Sequence, residues 1–168
     1  MKATGIIRRI DDLGRVFIPK EIRRGMRVHE GDALEIYRDG DMVCFKKYSS
    51  VVENLTDIKK YLNALYKVIN KFMIVTDTDG VVATVGDENI RNMQDKRVSS
   101  NIERISKAIQ NVCVVDGESV KAKLVYPIVS EGDTIGTICL FGKSGDEEVS
   151  EVELNLIKTA ALYFGIAE

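Results

Sequence analysis

The first 48 residues constrain this chain most, because they hold four short strand candidates and a basic stripe in a segment too small to fold alone. Below about 70 residues a single hydrophobic core rarely holds without a metal, disulfide bonds or association with a second chain. The segment has no metal-ligand spacing, and its one cysteine, Cys44, lies in an apolar run typical of a buried free thiol. The sequence therefore predicts that this segment folds as an oligomer.

The beginning of the segment predicts a strand, a loop, a second strand and a short helix. Thr4 to Ile10 and Arg15 to Ile18 are rich in β-branched and apolar residues, and Asp11-Asp12-Leu13-Gly14 between them has turn chemistry. Pro19 suits the first position of a helix, and Gly25 limits that helix to little more than one turn.

The end of the segment predicts a β-hairpin. Ala33 to Tyr37 and Met42 to Lys46 are strand candidates on either side of Arg38-Asp39-Gly40-Asp41. Because Asp-Gly is a strong signal for a tight hairpin turn, we expect these two strands to pair with each other.

Charge is distributed unevenly along the chain. Residues 1–48 carry 11 basic and 8 acidic residues, whereas residues 49–168 carry 13 basic and 18 acidic residues, so the two segments have net charges of +3 and −5. A local basic face on an acidic protein is the electrostatic footprint of a phosphate-binding module, although a solvated charged surface has the same composition.

Two runs of the sequence, TGIIRRIDDLGRVFIPKEIRR and DALEIYRDGDMVCFKKY, resemble the DNA-binding domain of the AbrB family of bacterial transition-state regulators. The match is nearly gapless, with Phe17 where the family usually has Val and Gly25 where it usually has Thr, and neither departure removes a basic position. The resemblance implies an all-β swapped-hairpin barrel, formed by two chains, that binds double-stranded DNA. With the longer folded region behind it, the whole chain is similar to the sporulation regulators of that family.

The resemblance also implies which residues contact DNA. The family's contact positions are matched by Arg8, Arg15, Arg23 and Arg24, and a second rank consists of Lys2, Arg9 and Lys47. Guanidinium groups suit bidentate contacts with phosphate, or with guanine O6 and N7 in the major groove. The alternative that basic residues only form surface ion pairs with nearby carboxylates stays open, above all for Lys20 and Arg27.

Residues 51–70 are expected to form a helical connector that also joins chains. The apolar residues of this stretch are spaced 4, 3, 4, 3 and 4 apart, as in a narrow heptad seam: Val51, Leu55, Ile58, Leu62, Leu65 and Ile69. The last five are the predicted oligomerisation residues, and they favour a tetramer built from two dimers. The seam spans under three heptads, so a helix packed on its own domain is the open alternative.

Residues 71–168 predict an α+β domain behind a DNA-binding domain of residues 1–50. Strands are expected at Phe72 to Thr76, Val81 to Val85, Val120 to Val129 and Thr134 to Phe141, with helices at Asn101 to Val112 and Val149 to Phe164. This order resembles a GAF domain, a small-molecule sensor fold, which implies an unidentified effector ligand. The residues nearest such a ligand, Val82 to Val85, Tyr126 and Ile138, fit a plain core equally well.

Catalytic chemistry has little support in the sequence. No nucleophile is positioned near the single histidine, His29, and Asp77, Asp79 and Gly80 favour a hairpin turn because the later ligands of a calcium loop do not follow. We therefore expect no enzyme, no metal site and no cofactor. No stretch of about 18 apolar residues or leader pattern is present, and three unpaired cysteines suit a reducing compartment, so a cytoplasmic protein without membrane contact is expected.

Taken with the resemblance, these features predict a transcription regulator of endospore development that activates or represses according to promoter. One alternative is an antitoxin, because the same N-terminal fold serves toxin and antitoxin pairs. A second alternative, a redox enzyme on the GAF-like fold, needs paired and exposed thiols, whereas Cys113 and Cys139 lie in apolar runs.

Overall fold

A computed structural model of the chain describes residues 4–98, 110–115, 118–143 and 148–166. It divides into two compact units, the first ending at Tyr48 and the second beginning at Ser49. The predicted connector of residues 51–70 is therefore part of the second unit, and each unit is described by itself.

Helix α1, Lys20–Met26, is the one helix among the described residues of the first unit. Pro19 directly precedes it in extended conformation, one position earlier than expected. Gly25 lies inside the helix, which ends at Arg27 in the left-handed conformation with a φ of 55°. The N–H of Val28 donates to the Arg23 carbonyl at 2.8 Å, so the last turn is closed by backbone hydrogen bonds. No residue of α1 is buried.

The predicted hairpin is confirmed. Strands β1, Leu34–Asp39, and β2, Met42–Lys47, pair antiparallel, with Asp39 opposite Met42 across a two-residue turn. Gly40 in that turn has a φ of 57°, which suits the primed turns of tight hairpins and which glycine adopts without strain.

The remaining strands predicted for the first unit, Thr4 to Ile10 and Arg15 to Ile18, are not formed in the single chain. A strand needs a neighbour for its backbone hydrogen bonds, and β1 and β2 pair with each other. Of residues 4–48 only Pro19 is buried, whereas Ile7 is 86% and Phe17 66% exposed. The first unit of one chain therefore has strand-forming segments but almost no interior.

The second unit is built on a five-stranded antiparallel sheet. Its strands are β3, Phe72–Thr76; β4, Val81–Val85; β5, Gln110–Val115; β6, Glu118–Ser130; and β7, Asp133–Phe141. They lie in the order β4-β3-β7-β6-β5. The predicted helix Asn101 to Val112 falls mostly outside the described residues, and its last three positions, 110–112, belong to β5 instead.

One face of this sheet is covered by helices. They are α2, Ser50–Glu53; α3, Leu55–Ile69; and α5, Glu151–Ile166, the last close to its predicted range. Gly165 of α5 lies so close to β6 that an added Cβ would meet the Val129 carbonyl oxygen. Only a residue without a side chain permits this approach of helix and strand.

The heptad seam of α2 and α3 packs inside this layer. Val51, Ile58, Leu62 and Leu65 are at most 5% exposed and belong to one cluster with sheet and α5 residues, against which Leu55 and Ile69 also pack. In the single chain these side chains fill the domain's own core, which favours the intradomain alternative, because heptad spacing also suits a helix lying on a sheet. The oligomerisation role of the seam stays a prediction.

The opposite face of the sheet carries a second cluster around Ile74, Val125 and Cys139, covered in part by α4, Glu88–Arg91. The residues that the GAF resemblance placed nearest a ligand lie on the other face, the one covered by helices. Ala83, Val85 and Ile138 are buried in the cluster on that face and are therefore core residues, and Val82 and Tyr126 are partly buried beside them.

Lys71 ties the start of β3 to the start of α5. Its Nζ lies 2.9 Å from Oε1 of Glu153, whose Oε2 accepts from the backbone N–H of Ser150 at 2.8 Å. Burial opposes ionisation of Glu153, but the hydrogen bonds from Ser150 and Lys71 outweigh it and hold the pKa of Glu153 below its usual range.

Candidate nucleic-acid interface

The loop that presents Arg15 is organised by Asp11. Oδ1 of Asp11 accepts from the N–H groups of Leu13 at 3.0 Å and Arg15 at 2.7 Å, and Oδ2 accepts from Nε of Arg15 at 2.8 Å. Gly14, with a φ of 75°, donates its N–H to the Asp11 carbonyl. Hydrogen bonds from Arg15 hold the pKa of Asp11 below its usual range. Asp11 thus fixes both the loop and the direction in which Arg15 leaves it.

Arg8 and Arg9 lie in the extended segment before this loop, and both are exposed. The guanidinium of Arg8 donates from Nη1 to the Ile7 carbonyl at 2.9 Å. Lys2, the remaining candidate of this region, lies outside the described residues.

Helix α1 carries Arg23 and Arg24 in its last turn. Arg24 is exposed, whereas Arg23 is partly buried, and its Nε is shielded from solvent without a hydrogen-bond partner in the described part of the chain. The same holds for Oε2 of Glu35 on β1. Because a shielded polar atom of a charged group is costly to leave unpaired, the first unit of a single chain is unfinished here too.

Lys47 differs from the other candidates because its side chain is only 16% exposed. Its Nζ lies 3.0 Å from Oδ2 of Asp32 and donates to the Arg27 carbonyl at 3.3 Å. An ammonium engaged in this way has fewer directions left in which to meet a DNA phosphate than the exposed candidates have, and the second-rank DNA contact of Lys47 stays a prediction.

The structure thus separates the sequence candidates into two groups. Arg8, Arg9, Arg15 and Arg24 are exposed cations, while Lys47 and part of Arg23 are enclosed by the first unit. The sequence predicted turn chemistry at Asp11-Asp12-Leu13-Gly14, and in the structure Asp11 organises that loop. No signal in the sequence indicated the contact between Asp32 and Lys47, which lie fifteen positions apart.

The described residues show no arrangement that suits metal binding or catalysis. No group of three or more metal-ligating side chains occurs among them. His29 lies 3.6 Å from Asp32 through Nδ1, Cys44 is partly buried and Cys139 is buried. Oδ1 of Asp77 accepts from the N–H groups of Asp79 and Gly80, which confirms the predicted turn between β3 and β4. No described helix combines the length and apolar character that a membrane span requires.

Comparison with known proteins assigns both units. The family described as "Stage V sporulation protein T C-terminal, transcription factor" matches residues 54–166, and "Antidote-toxin recognition MazE, bacterial antitoxin" matches residues 7–50. Stage V sporulation protein T of Bacillus subtilis (strain 168) is 42% identical over 96% of this chain and 95% of the relative. Transition state regulatory protein AbrB of the same organism is 56% identical over 48 residues, which are 29% of this chain and 50% of that protein.

A crystal structure of the cyanobacteriochrome receptor PixJ covers 70% of this chain and 99% of its own, with a TM-score of 0.52 and 17% identity. At that identity the likeness speaks for the fold alone, and it supports the GAF-like α+β arrangement of the second unit. The sequence relative, by contrast, matches almost end to end, and the family match spans more than half of the chain. The chain therefore belongs to the stage V sporulation protein T family of transcription factors.

Proposed function

We propose that this protein binds double-stranded DNA through its first unit and regulates the transcription of genes of endospore development. The observation that carries the proposal is the set of exposed arginines at Arg8, Arg15 and Arg24, in a segment that is 56% identical to the AbrB regulator. Arg8 lies on an extended segment, Arg15 on a loop and Arg24 at a helix end, and all three are exposed, so that they can reach phosphates or base edges, Arg15 in the direction that its contact with Asp11 sets.

The proposal includes a dimer formed through the first unit. Two predicted strands are unpaired in the single chain, and twelve large apolar side chains between Ile6 and Tyr48 are exposed. A second chain that interleaves its strands with these would supply both the missing backbone hydrogen bonds and an interior. The swapped-hairpin barrel implied by the family resemblance is such an arrangement.

A fragment of residues 1–48 tests the dimer. We expect it to sediment as a dimer and to lose its circular dichroism signal on dilution, because neither chain has a core without the other. A folded monomer that persists at low concentration would contradict this part of the proposal.

The DNA contacts are tested by Arg24→Ala in the full-length protein, with Arg91→Ala on the exposed end of α4 as the matched control. Affinity for a duplex selected by the wild-type protein from a randomised pool is expected to fall about tenfold for Arg24→Ala, which corresponds to about 1.4 kcal/mol. Arg91→Ala is expected to have little effect. Affinity of the wild type that does not depend on salt concentration would overturn the proposal, because phosphate contacts release counterions.

For the higher oligomer, we propose that the outer face of α5 joins two dimers. Val152 is 69%, Leu162 67% and Ile166 74% exposed, whereas the seam of α3 is occupied by the domain core. Leu162→Asp is expected to reduce the mass measured by light scattering to that of a dimer, while Val68→Asp on α3 serves as a control for an added surface charge. An unchanged mass for Leu162→Asp would contradict this contact.

We also propose that the second unit binds a small-molecule effector, as the GAF-like fold suggests. Both faces carry buried clusters, but among the described residues only the four-residue helix α4 covers the second one, so we choose this less covered face as the candidate. A metabolite panel in a thermal-shift assay on the full chain tests this, and the absence of any stabilising compound would count against it.

The antitoxin function is the second candidate, because the MazE family matches residues 7–50. The larger second unit belongs to a transcription-factor family, however, and it forms a sheet with its own core rather than a tail that folds on a toxin. Transcription regulation therefore accounts for the whole chain, and the antitoxin function for less than a third of it.

A further inference from the structure

Lys47, Asp32 and the end of helix α1 form one connected polar cluster in the first unit. Nζ of Lys47 contacts both Oδ2 of Asp32 and the carbonyl oxygen of Arg27, the left-handed residue that ends the helix. Oδ2 of Asp32 also accepts from the N–H of His29 at 2.8 Å. The end of β2, the turn before β1 and the end of α1 are thus joined at a single ammonium group.

The cluster is partly shielded from water. The side chains of Lys47 and Asp32 are 16% and 22% exposed, which distinguishes this pair from the surface pair of Arg15 and Asp11, at 71% and 37%. Burial opposes ionisation of Asp32, but the His29 N–H and Lys47 outweigh it and hold the pKa of Asp32 below its usual range. A shielded charge pair with additional hydrogen bonds is worth more than an exposed one.

Helix α1 has little else to hold it within its own chain. It is seven residues long and contains no fully buried residue, and because Ile22 and Met26 are its only partly buried apolar residues, apolar packing in the single chain holds it weakly. The last turn, which carries Arg23 and Arg24, ends at the carbonyl that Lys47 binds. The contact between Lys47 and the Arg27 carbonyl therefore lies at the end of the helix that carries Arg23 and Arg24.

We infer that Lys47 and Asp32 are positioning residues for DNA binding: their ion pair fixes the end of α1 and thereby sets where Arg23 and Arg24 stand, while Lys47 itself does not contact phosphate. This inference rests on the proposed binding of DNA by the first unit. It assigns a carboxylate, Asp32, a favourable role in binding a polyanion.

The sign of the Asp32 effect separates this inference from simple electrostatics. If charge alone mattered, Asp32→Asn would tighten DNA binding by removing a negative charge, and Lys47→Gln would weaken it. The two changes would then act independently, and the double variant would bind nearly as well as the wild type. A positioning pair predicts instead that each single change lowers the affinity for DNA. The affinity of the double variant is then expected to be no lower than that of the single variant that binds less tightly.

The experiment measures affinity of the full-length protein for the selected duplex and for a scrambled duplex of equal length. The variants are Lys47→Gln, Asp32→Asn and the double variant, and the matched controls are Lys46→Gln and Asp41→Asn, which change exposed charges on the same hairpin. We expect about a tenfold loss on the selected duplex for each single variant and for the double variant. The controls are expected to change affinity by less than about threefold, with Asp41→Asn binding slightly tighter.

A third combination tests the route through α1. The double variant Arg24→Ala, Lys47→Gln is expected to lose much less affinity than the product of the two single effects. Once Lys47→Gln has displaced Arg24 from the DNA, removing the Arg24 side chain costs little further affinity. Multiplicative effects of these two changes would overturn the inference. Tighter or unchanged binding by Asp32→Asn would overturn it as well, whereas a wild type that binds neither duplex would overturn the proposed function itself.

Circular dichroism and sedimentation of each variant accompany the binding assay. If Lys47→Gln does not assemble, Lys47→Met replaces it, since methionine keeps an unbranched apolar stem of similar length without the charge. A Lys47→Met variant that assembles and binds like the wild type would also refute the role of the pair.

Discussion

Leu62→Ala in α3 is the change that most directly tests how the second unit is held together. Leu62 is 1% exposed and packs in the helix-covered cluster, whereas Val68 on the same helix is 73% exposed. Truncation of a buried leucine loses the transfer free energy of its methyl groups and leaves a cavity, for a total of about 2–5 kcal/mol. At about 3 kcal/mol the folding equilibrium changes by roughly 150-fold.

Urea denaturation of the full-length protein, followed by circular dichroism, measures the effect. With a denaturant slope of about 2 kcal/mol per molar, the midpoint of the second unit is expected to fall by about 1.5 M for Leu62→Ala. Val68→Ala, the matched control, removes exposed methyl groups and is expected to shift the free energy of unfolding by less than about 0.5 kcal/mol.

A packing role within one chain predicts that this shift does not depend on protein concentration. If α3 instead paired with a helix of another chain, Leu62→Ala would reduce the oligomer mass and its effect on the midpoint would change with concentration. An unchanged midpoint together with a lower mass would refute the assignment of this face to the domain core.

Three further predictions follow from other contacts. Because the pKa of Glu153 is lowered in the folded state, ionised Glu153 stabilises the protein at pH values above the usual glutamate pKa, and this stabilisation is lost as the pH falls through the pKa of the folded state. When the pH is lowered from neutral to below about 4.5, the urea midpoint is therefore expected to drop less for Glu153→Gln than for the wild type. Gly165→Ala is expected to lower the thermal midpoint because the added Cβ meets β6, whereas Gly25→Ala, with open space around it in a helix, is expected to stabilise the first unit by up to about 1 kcal/mol. Asp11→Ala is expected to weaken DNA binding in a gel-shift titration although it removes a negative charge, because Asp11 holds the loop that carries Arg15. Asp12→Ala, the same change one residue later, is the control, and equal effects of the two changes would show that the loop does not depend on Asp11.

Features specified by neighbouring residues were predicted well from the sequence. The Asp39-Gly40 pair predicted the β1–β2 hairpin, and Asp77 with Gly80 predicted the β3–β4 turn, because in both cases the residues that make the turn are adjacent in the chain. Strand β3 and helix α5 were placed within two residues of their observed ends for the same reason.

Features that depend on distant partners were not predictable in this way. The heptad spacing of α3 fits a neighbouring helix and a sheet equally well, and only the fold decides between them. The sequence indicated no partner for Lys47, which pairs with Asp32, fifteen residues earlier, whereas the neighbouring Lys46 is exposed. The segment Thr4 to Ile10 pairs with no strand in the described part of the chain, so the sequence alone does not say where its backbone hydrogen bonds are made.

The near absence of an interior in the first unit also has a consequence for dosage in the cell. If two chains must meet before the DNA-binding unit exists, its amount at low expression rises with the square of the chain concentration rather than in proportion to it. The second unit, which has its own core, accumulates linearly with synthesis. Halving production would then cut the number of competent DNA-binding units to about a quarter, and occupancy of weak promoters would respond more steeply than the protein level itself.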